Sequence, residues 1–178
     1  AWHMENPQLG QCYPNFYVAQ LAAKFVKVVF SGGGGDELFA GYPWRYYQSL
    51  KAQNPKEYYQ SCYGYWQRLV SDKDKPSFFN EDTYVQAQHS DTFDAFMSVY
   101  AEGSQPLETP EDMVNASLYF EIKTFLHGLL EVEDKLSMAH SLETRVPFLD
   151  NDFVDFAMRL PAGYKLLGLD SASLATPL

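Results

Sequence analysis

The run Val26-Lys27-Val28-Val29-Phe30 ends abruptly in Ser31 and four consecutive glycines, Gly32 to Gly35, followed at once by Asp36-Glu37-Leu38-Phe39. No other stretch restricts the folding of this chain so tightly. The β-branched run reads as a buried strand, and the residues after the glycines read as the start of a helix. Strand, glycine loop and helix start together make a ligand-site layout. Without Cβ atoms the backbone can approach a ligand closely, and its N–H groups can converge on an anion. Two phosphate loops are excluded. Asp36-Glu37 stands where the Walker pattern needs its lysine, and Glu37 sits where the dinucleotide fingerprint needs a third glycine. Carboxylates at a helix start gain about 0.3–1 kcal/mol from the helix dipole, so capping alone is an alternative role for Asp36 and Glu37. Against a bare triphosphate they would repel, whereas a magnesium ion between them reverses the sign. The loop fits a nucleotide held partly through magnesium, or a cationic substrate, with a tight structural turn as the alternative.

The rest of the chain is mainly helical in pattern. Helices are expected over Asn15 to Phe25, Pro43 to Gln53, Pro55 to Val70, Glu81 to Gln88, Asp91 to Glu102, Pro110 to His127, Leu129 to Leu142 and Asn151 to Leu160. Pro43 and Pro55 fall in a first turn, where a missing N–H is harmless. Gly128 reads as a break between two helices, Asp72 to Pro76 as a polar loop, and Asp150 or Asp152 as the cap of the last helix. One clear strand results, and an apolar strand cannot satisfy its backbone alone. The expectation is that it completes a sheet made by residues outside this chain. Pairing with a weaker strand inside it is the alternative.

Composition narrows the function. The 178 residues carry 13 Lys and Arg against 23 Asp and Glu, a formal charge of −10. That balance argues against a nucleic-acid binder and against an anionic-membrane binder, both of which need clustered cations. Hydrophobic residues make up 46% and charged residues 20%, an ordinary globular balance. Cys12 and Cys62 have neither the spacing of a zinc site nor the number of a disulfide framework, and they read as reduced thiols. No apolar run is long enough to span a membrane, and a cytoplasmic location is expected.

A second informative segment runs from Glu131 to Asp150. Glu131 and Lys135 have the spacing of an ion pair on a helix surface. Asp134 and Met138 share a helix face, and Glu143 and Arg145 fall where the helix should end before Pro147. His140 reads as a structural histidine rather than a base.

Together the two segments carry a family resemblance. Ser31-Gly32-Gly33-Gly34-Gly35-Asp36-Glu37-Leu38-Phe39-Ala40-Gly41-Tyr42 resembles the Ser-Gly-x-Gly-x-Asp-Glu-Leu-Phe-x-Gly-Tyr signature of glutamine-hydrolysing asparagine synthetases. Asp134-Lys135-Leu136-Ser137-Met138-Ala139-His140-Ser141-Leu142-Glu143-Thr144-Arg145-Val146-Pro147-Phe148-Leu149-Asp150 resembles the second signature of the same synthetase domain. The resemblance covers nearly the whole chain. It implies an α/β fold, a layered adenine-nucleotide-binding domain with a parallel sheet, of which residues 1–178 would be a C-terminal, mostly helical part. It implies a ligase that uses ATP and Mg²⁺ to form β-aspartyl-AMP from aspartate. Ammonia, released from glutamine by a separate amidotransferase domain, then displaces AMP to give asparagine. By the same resemblance Ser31, Gly32 and Gly34 would contact ATP, Asp36 would hold the magnesium, and Glu143 and Asp134 would line the substrate pocket as catalytic acids. A homo-oligomer stays open.

The chain also departs from the pattern. The Ser-Gly-Gly-x-Asp-Ser pyrophosphate loop does not occur in it, and neither does the phosphate-contacting lysine segment after the second signature, for which Lys165 is no clear substitute. Gly33 stands where asparagine synthetases often carry an acidic residue and β-lactam synthetases carry Tyr. A related synthetase with another acceptor, of the β-lactam or peptide-cyclising type, is therefore the second hypothesis. A non-catalytic helical module using the aromatics around Trp44 to Trp66 is the third. The expected outcome for the isolated chain is no asparagine formation. An ATP–pyrophosphate exchange assay with aspartate and Mg²⁺ checks this, and turnover well above background would overturn the fragment reading.

Overall fold

The computed structural model describes residues 2–5, 11–67, 69–101, 106–167 and 169. Its helices are α1 (Cys12–Ala22), α2 (Gly35–Phe39), α3 (Pro43–Ser49), α4 (Pro55–Trp66), α5 (Lys75–Phe78), α6 (Glu81–Ala87), α7 (Thr92–Ala101), α8 (Pro110–Lys123), α9 (Phe125–Met138), α10 (Asn151–Arg159) and α11 (Ala162–Lys165). The strands are β1 (Val28–Phe30) and β2 (Glu143–Arg145). Most helices fall where their apolar spacing and caps place them. Asn54 accepts the Glu57 N–H at the start of α4, and Asp150 accepts the N–H groups of Asp152 and Phe153 at the start of α10. Glu102, the expected end of α7, lies outside the described residues.

The chain divides into two compact units, residues 1–41 with 121–160 and residues 42–120 with 161–178. In the first unit β1 and β2 run parallel, with Val28 opposite Glu143, Val29 opposite Thr144 and Phe30 opposite Arg145. This corrects the expectation that the β1 partner lies outside the chain. The partner is Glu-Thr-Arg, a polar triplet without the apolar alternation that marks a strand. Helix α1 packs along α9, where Met4, Val132 and Leu136 form a buried cluster with Cys12 and Phe16 against it. The His140 ring lies 4.4 Å from that of Phe16. The Glu131–Lys135 ion pair is present at 3.0 Å. Val28 and Phe30 on β1 stay 43% and 77% exposed, and they share the open face of this small sheet with the exposed Glu143 and Arg145.

Gly128 does not break a helix. It lies inside α9, and the interruption falls at Thr124. A glycine costs a helix about 1 kcal/mol, too little to end one held by packing. A Cβ at Gly128 would meet nothing within 4 Å, because the residue borders a cavity of about 270 Å³ that Gln11, Asn15 and Phe125 also line.

The second unit is built on aromatic contacts. Tyr58 is fully buried, donates to the Met113 carbonyl at 2.8 Å and lies 2.6 Å from Ser117 Oγ. Burial pushes its phenol well above the usual range. Phe96, Tyr100 and Phe120 form a ring cluster with centroids 4.8–5.4 Å apart, in which Tyr100 and Phe120 stack and Phe96 meets Tyr100 edge-on. Trp44 remains exposed, while Arg45 lies over the Tyr42 ring at 3.7 Å. The expected polar loop at Asp72 to Pro76 is a 3₁₀ turn running into α5.

Asp72 ties that turn together. Its carboxylate accepts from the Tyr63 hydroxyl at 2.5 Å and Thr92 Oγ1 at 2.8 Å, and also bonds Gln67 and Lys75. Partial burial would raise its pKa, but these donors outweigh it and hold the carboxyl well below the usual range. A group depressed in the folded state adds stability above its unfolded pKa, and that stability is lost as pH falls through its folded pKa. Asp72→Asn is expected to cost about 1 kcal/mol or less at neutral pH, since the site is solvent-screened, and to flatten the acid limb of stability below about pH 4. Urea unfolding between pH 2 and 7 checks this.

Candidate nucleotide and substrate site

The site is assembled at the carboxyl ends of the two parallel strands, where open α/β sheets place their ligands. The chain leaves β1 at Ser31, whose N–H donates to the Arg145 carbonyl at 2.9 Å and so extends the ladder by one bond. The glycine loop then lies on the segment that follows β2. The missing side chain of Gly33 would meet Val146 at 3.3 Å, that of Gly34 would overlap Leu149, and that of Gly35 would reach Phe148 at 3.7 Å. The two signature segments are about a hundred residues apart in sequence and meet here.

The glycines have separable reasons to be glycine. Gly34 has φ +88°, a left-handed conformation, and Leu149 fills its side-chain space. Gly41 has room for no Cβ because the Asp36 carboxylate lies against it. Gly32 has neither constraint. It is exposed, and a Cβ there would meet nothing within 4 Å. An unconstrained glycine facing open space suits close approach by a ligand. The Gly33 N–H donates to Ser31 Oγ at 3.1 Å and the Gly35 N–H to the Gly32 carbonyl at 3.1 Å. Among the described residues the N–H groups of Gly32 and Gly34 donate to no protein acceptor, Gly32 being exposed and Gly34 buried.

The nominated residues fall into two groups. Ser31, Gly32, Gly34 and Asp36 share the loop, with the Asp36 side chain exposed and Glu37 beside it buried. Glu143 lies instead at the amino end of β2, opposite Val28 and three residues back from Ser31 in register, about 10 Å along the strand. Its carboxylate accepts from Arg145 Nε at 2.8 Å. Asp134 is exposed on α9. The preceding residue, Glu133, is the one that reaches the loop, its Oε2 standing 3.1 Å from the Cβ position of Gly33. Glu133 was not singled out in the sequence. Adjacent helix residues diverge by about 100°, and only the packing of Val132 and Leu136 settles which carboxylate faces inward.

Among the described residues no three His, Cys, Asp or Glu side chains cluster to hold a metal by themselves. Magnesium does not need such a cage, since one carboxylate plus phosphate oxygens and water completes its shell. The exposed Asp36 carboxylate next to an open glycine backbone fits that donor set.

Residues 1–174 match the family model described as asparagine synthase, and the chain belongs to that family. It is 30% identical over 93% of its length to a protein of Mycobacterium tuberculosis named "Putative asparagine synthetase (glutamine-hydrolyzing)", covering 29% of that protein. It is 28% identical over 85% of its length to asparagine synthetase (glutamine-hydrolyzing) 3 of Bacillus subtilis, covering 23% of it. The chain therefore spans less than a third of the length of these relatives. No solved structure matches it. Among the described residues no helix is long and apolar enough to cross a membrane.

The loop geometry separates two substitutions. Gly34→Ala is expected to cost about 1–3 kcal/mol through its left-handed backbone and the overlap with Leu149. Gly32→Ala is expected to change stability by less than about 0.5 kcal/mol. Chemical denaturation of the two variants side by side measures the difference.

Proposed function

We propose that this chain is part of an ATP-dependent amide-forming ligase that adenylates the side-chain carboxylate of aspartate and passes the acyl group to glutamine-derived ammonia. The observation that carries this reading is the parallel β1–β2 pair, which lays the glycine loop directly on the Val146–Leu149 segment of the second signature. Membership of the asparagine synthase family supports the same reaction class.

In this reading the free N–H groups of Gly32 and Gly34 receive phosphate oxygens of ATP, and Ser31 holds the loop closed through the Gly33 N–H. Asp36 would hold Mg²⁺, which neutralises phosphate charge when bound. The aspartate carboxylate attacks the α-phosphorus of ATP, the bond to the bridging oxygen breaks, and pyrophosphate leaves. Ammonia then attacks the activated carbonyl, loses a proton and expels AMP, leaving the amide. Asp134 and Glu143 are proposed as acids of the substrate pocket on the family resemblance alone, since Asp134 is exposed on α9 and Glu143 lies at the opposite end of β2 from the loop. ATP, aspartate and ammonia from a glutaminase domain of the parent protein are its proposed partners, with cytoplasmic action.

Amide NMR during titration with Mg·ATP tests the reading. Shifts concentrated at Ser31 to Asp36 are expected, with a several-fold weaker response in Gly32→Ala despite its unchanged stability. Absence of any shift at millimolar nucleotide would overturn it.

A further inference from the structure

Where Gly33 has no side chain, a carboxylate arrives from elsewhere. Glu133 Oε2 stands 3.1 Å from the position a Cβ would take there, with Ser31 Oγ 3.6 Å from the same point. Glu133 is half-buried, yet it makes no hydrogen bond or ion pair with any described residue. Its surroundings explain why. The Gly33 N–H already donates to Ser31 Oγ. Lys135 on the same helix is engaged by Glu131, Glu5 and the Met4 carbonyl, and Arg145 on β2 by Glu143. A partly buried carboxylate without donors is unfavourable alone and suits a ligand that brings cationic N–H groups.

We propose, resting on the ligase reading above, that Glu133 is a specificity-determining residue of this site, its carboxylate occupying the space left by Gly33 and pairing there with the α-ammonium group of an amino-acid substrate bound beside the loop. The pairing restricts the carboxylate substrate that is adenylated to amino dicarboxylic acids and disfavours the dicarboxylic acid of the same carbon skeleton. Glu133 thereby orients the side-chain carboxylate of the substrate toward the nucleotide held by the loop.

Aspartate and succinate differ in that one ammonium group, so the test compares them on the whole chain with Mg·ATP present. By NMR titration the wild-type protein is expected to bind aspartate at least about tenfold more tightly than succinate. The Glu133 side-chain carboxyl resonance should move with aspartate and stay with succinate. In Glu133→Gln the preference should fall to about one, and Glu133→Asp should restore part of it. Equal binding of the two acids by the wild type, or an unchanged preference in Glu133→Gln, overturns the role of Glu133 and leaves the ligase reading standing. If Glu133→Gln does not fold, the wild-type carboxyl resonance decides alone, and equal movement with both acids overturns the proposal. If neither acid binds the wild type with Mg·ATP present, the ligase reading fails and this inference fails with it.

Discussion

The candidate site depends on one parallel pairing, Val28–Phe30 against Glu143–Arg145. A strand of three residues cannot stand alone, and neither segment has a second strand beside it among the described residues. What the pairing achieves is positional. It brings two distant loops to the same end of the sheet, and the Ser31 N–H bond to the Arg145 carbonyl carries the register into the glycine loop. Val146, Phe148 and Leu149 then form the floor on which Gly33, Gly35 and Gly34 rest. A slip by one residue would turn every β2 side chain to the opposite face. It would also remove that floor.

The four glycines of the loop divide by physical cause. Gly34 answers a backbone demand, because its left-handed conformation and the Leu149 side chain both exclude a Cβ. Gly32 answers no demand made by the described residues. Gly33 makes room for Glu133. A run of one residue type thus contains a structural position, an open position and a position whose side-chain space belongs to another segment. Loop and helix α9 depend on each other, since a side chain at 33 and the carboxylate of Glu133 would compete for one volume.

Much of the helical architecture was legible in the residues. The starts of α3, α4 and α10 follow from Pro43, Asn54-Pro55 and Asp150, because caps and first-turn prolines act through bonds local to the chain. Strand β2 was not legible. Glu143-Thr144-Arg145 has little strand character, and its conformation comes from hydrogen bonds to β1. The break between α8 and α9 misled for the opposite reason. Gly128 has the weakest local preference for a helix, but packing of Leu126, Val132 and Leu136 outweighs about 1 kcal/mol of propensity.

The strand, the glycine loop and the acidic helix start after it follow from the sequence alone, and with the second signature they point to a family. Those features are local, written in side-chain shape, backbone freedom and the order of charges. Tertiary structure decided where the second signature lies relative to the loop. It put Glu143 at the far end of its strand, left Asp134 exposed, and turned Glu133 toward Gly33. Neighbouring helix residues point about 100° apart, so the choice between Glu133 and Asp134 belongs to the buried face of α9. That face is set by Met4, Val132 and Leu136, none of which carries any chemistry of its own.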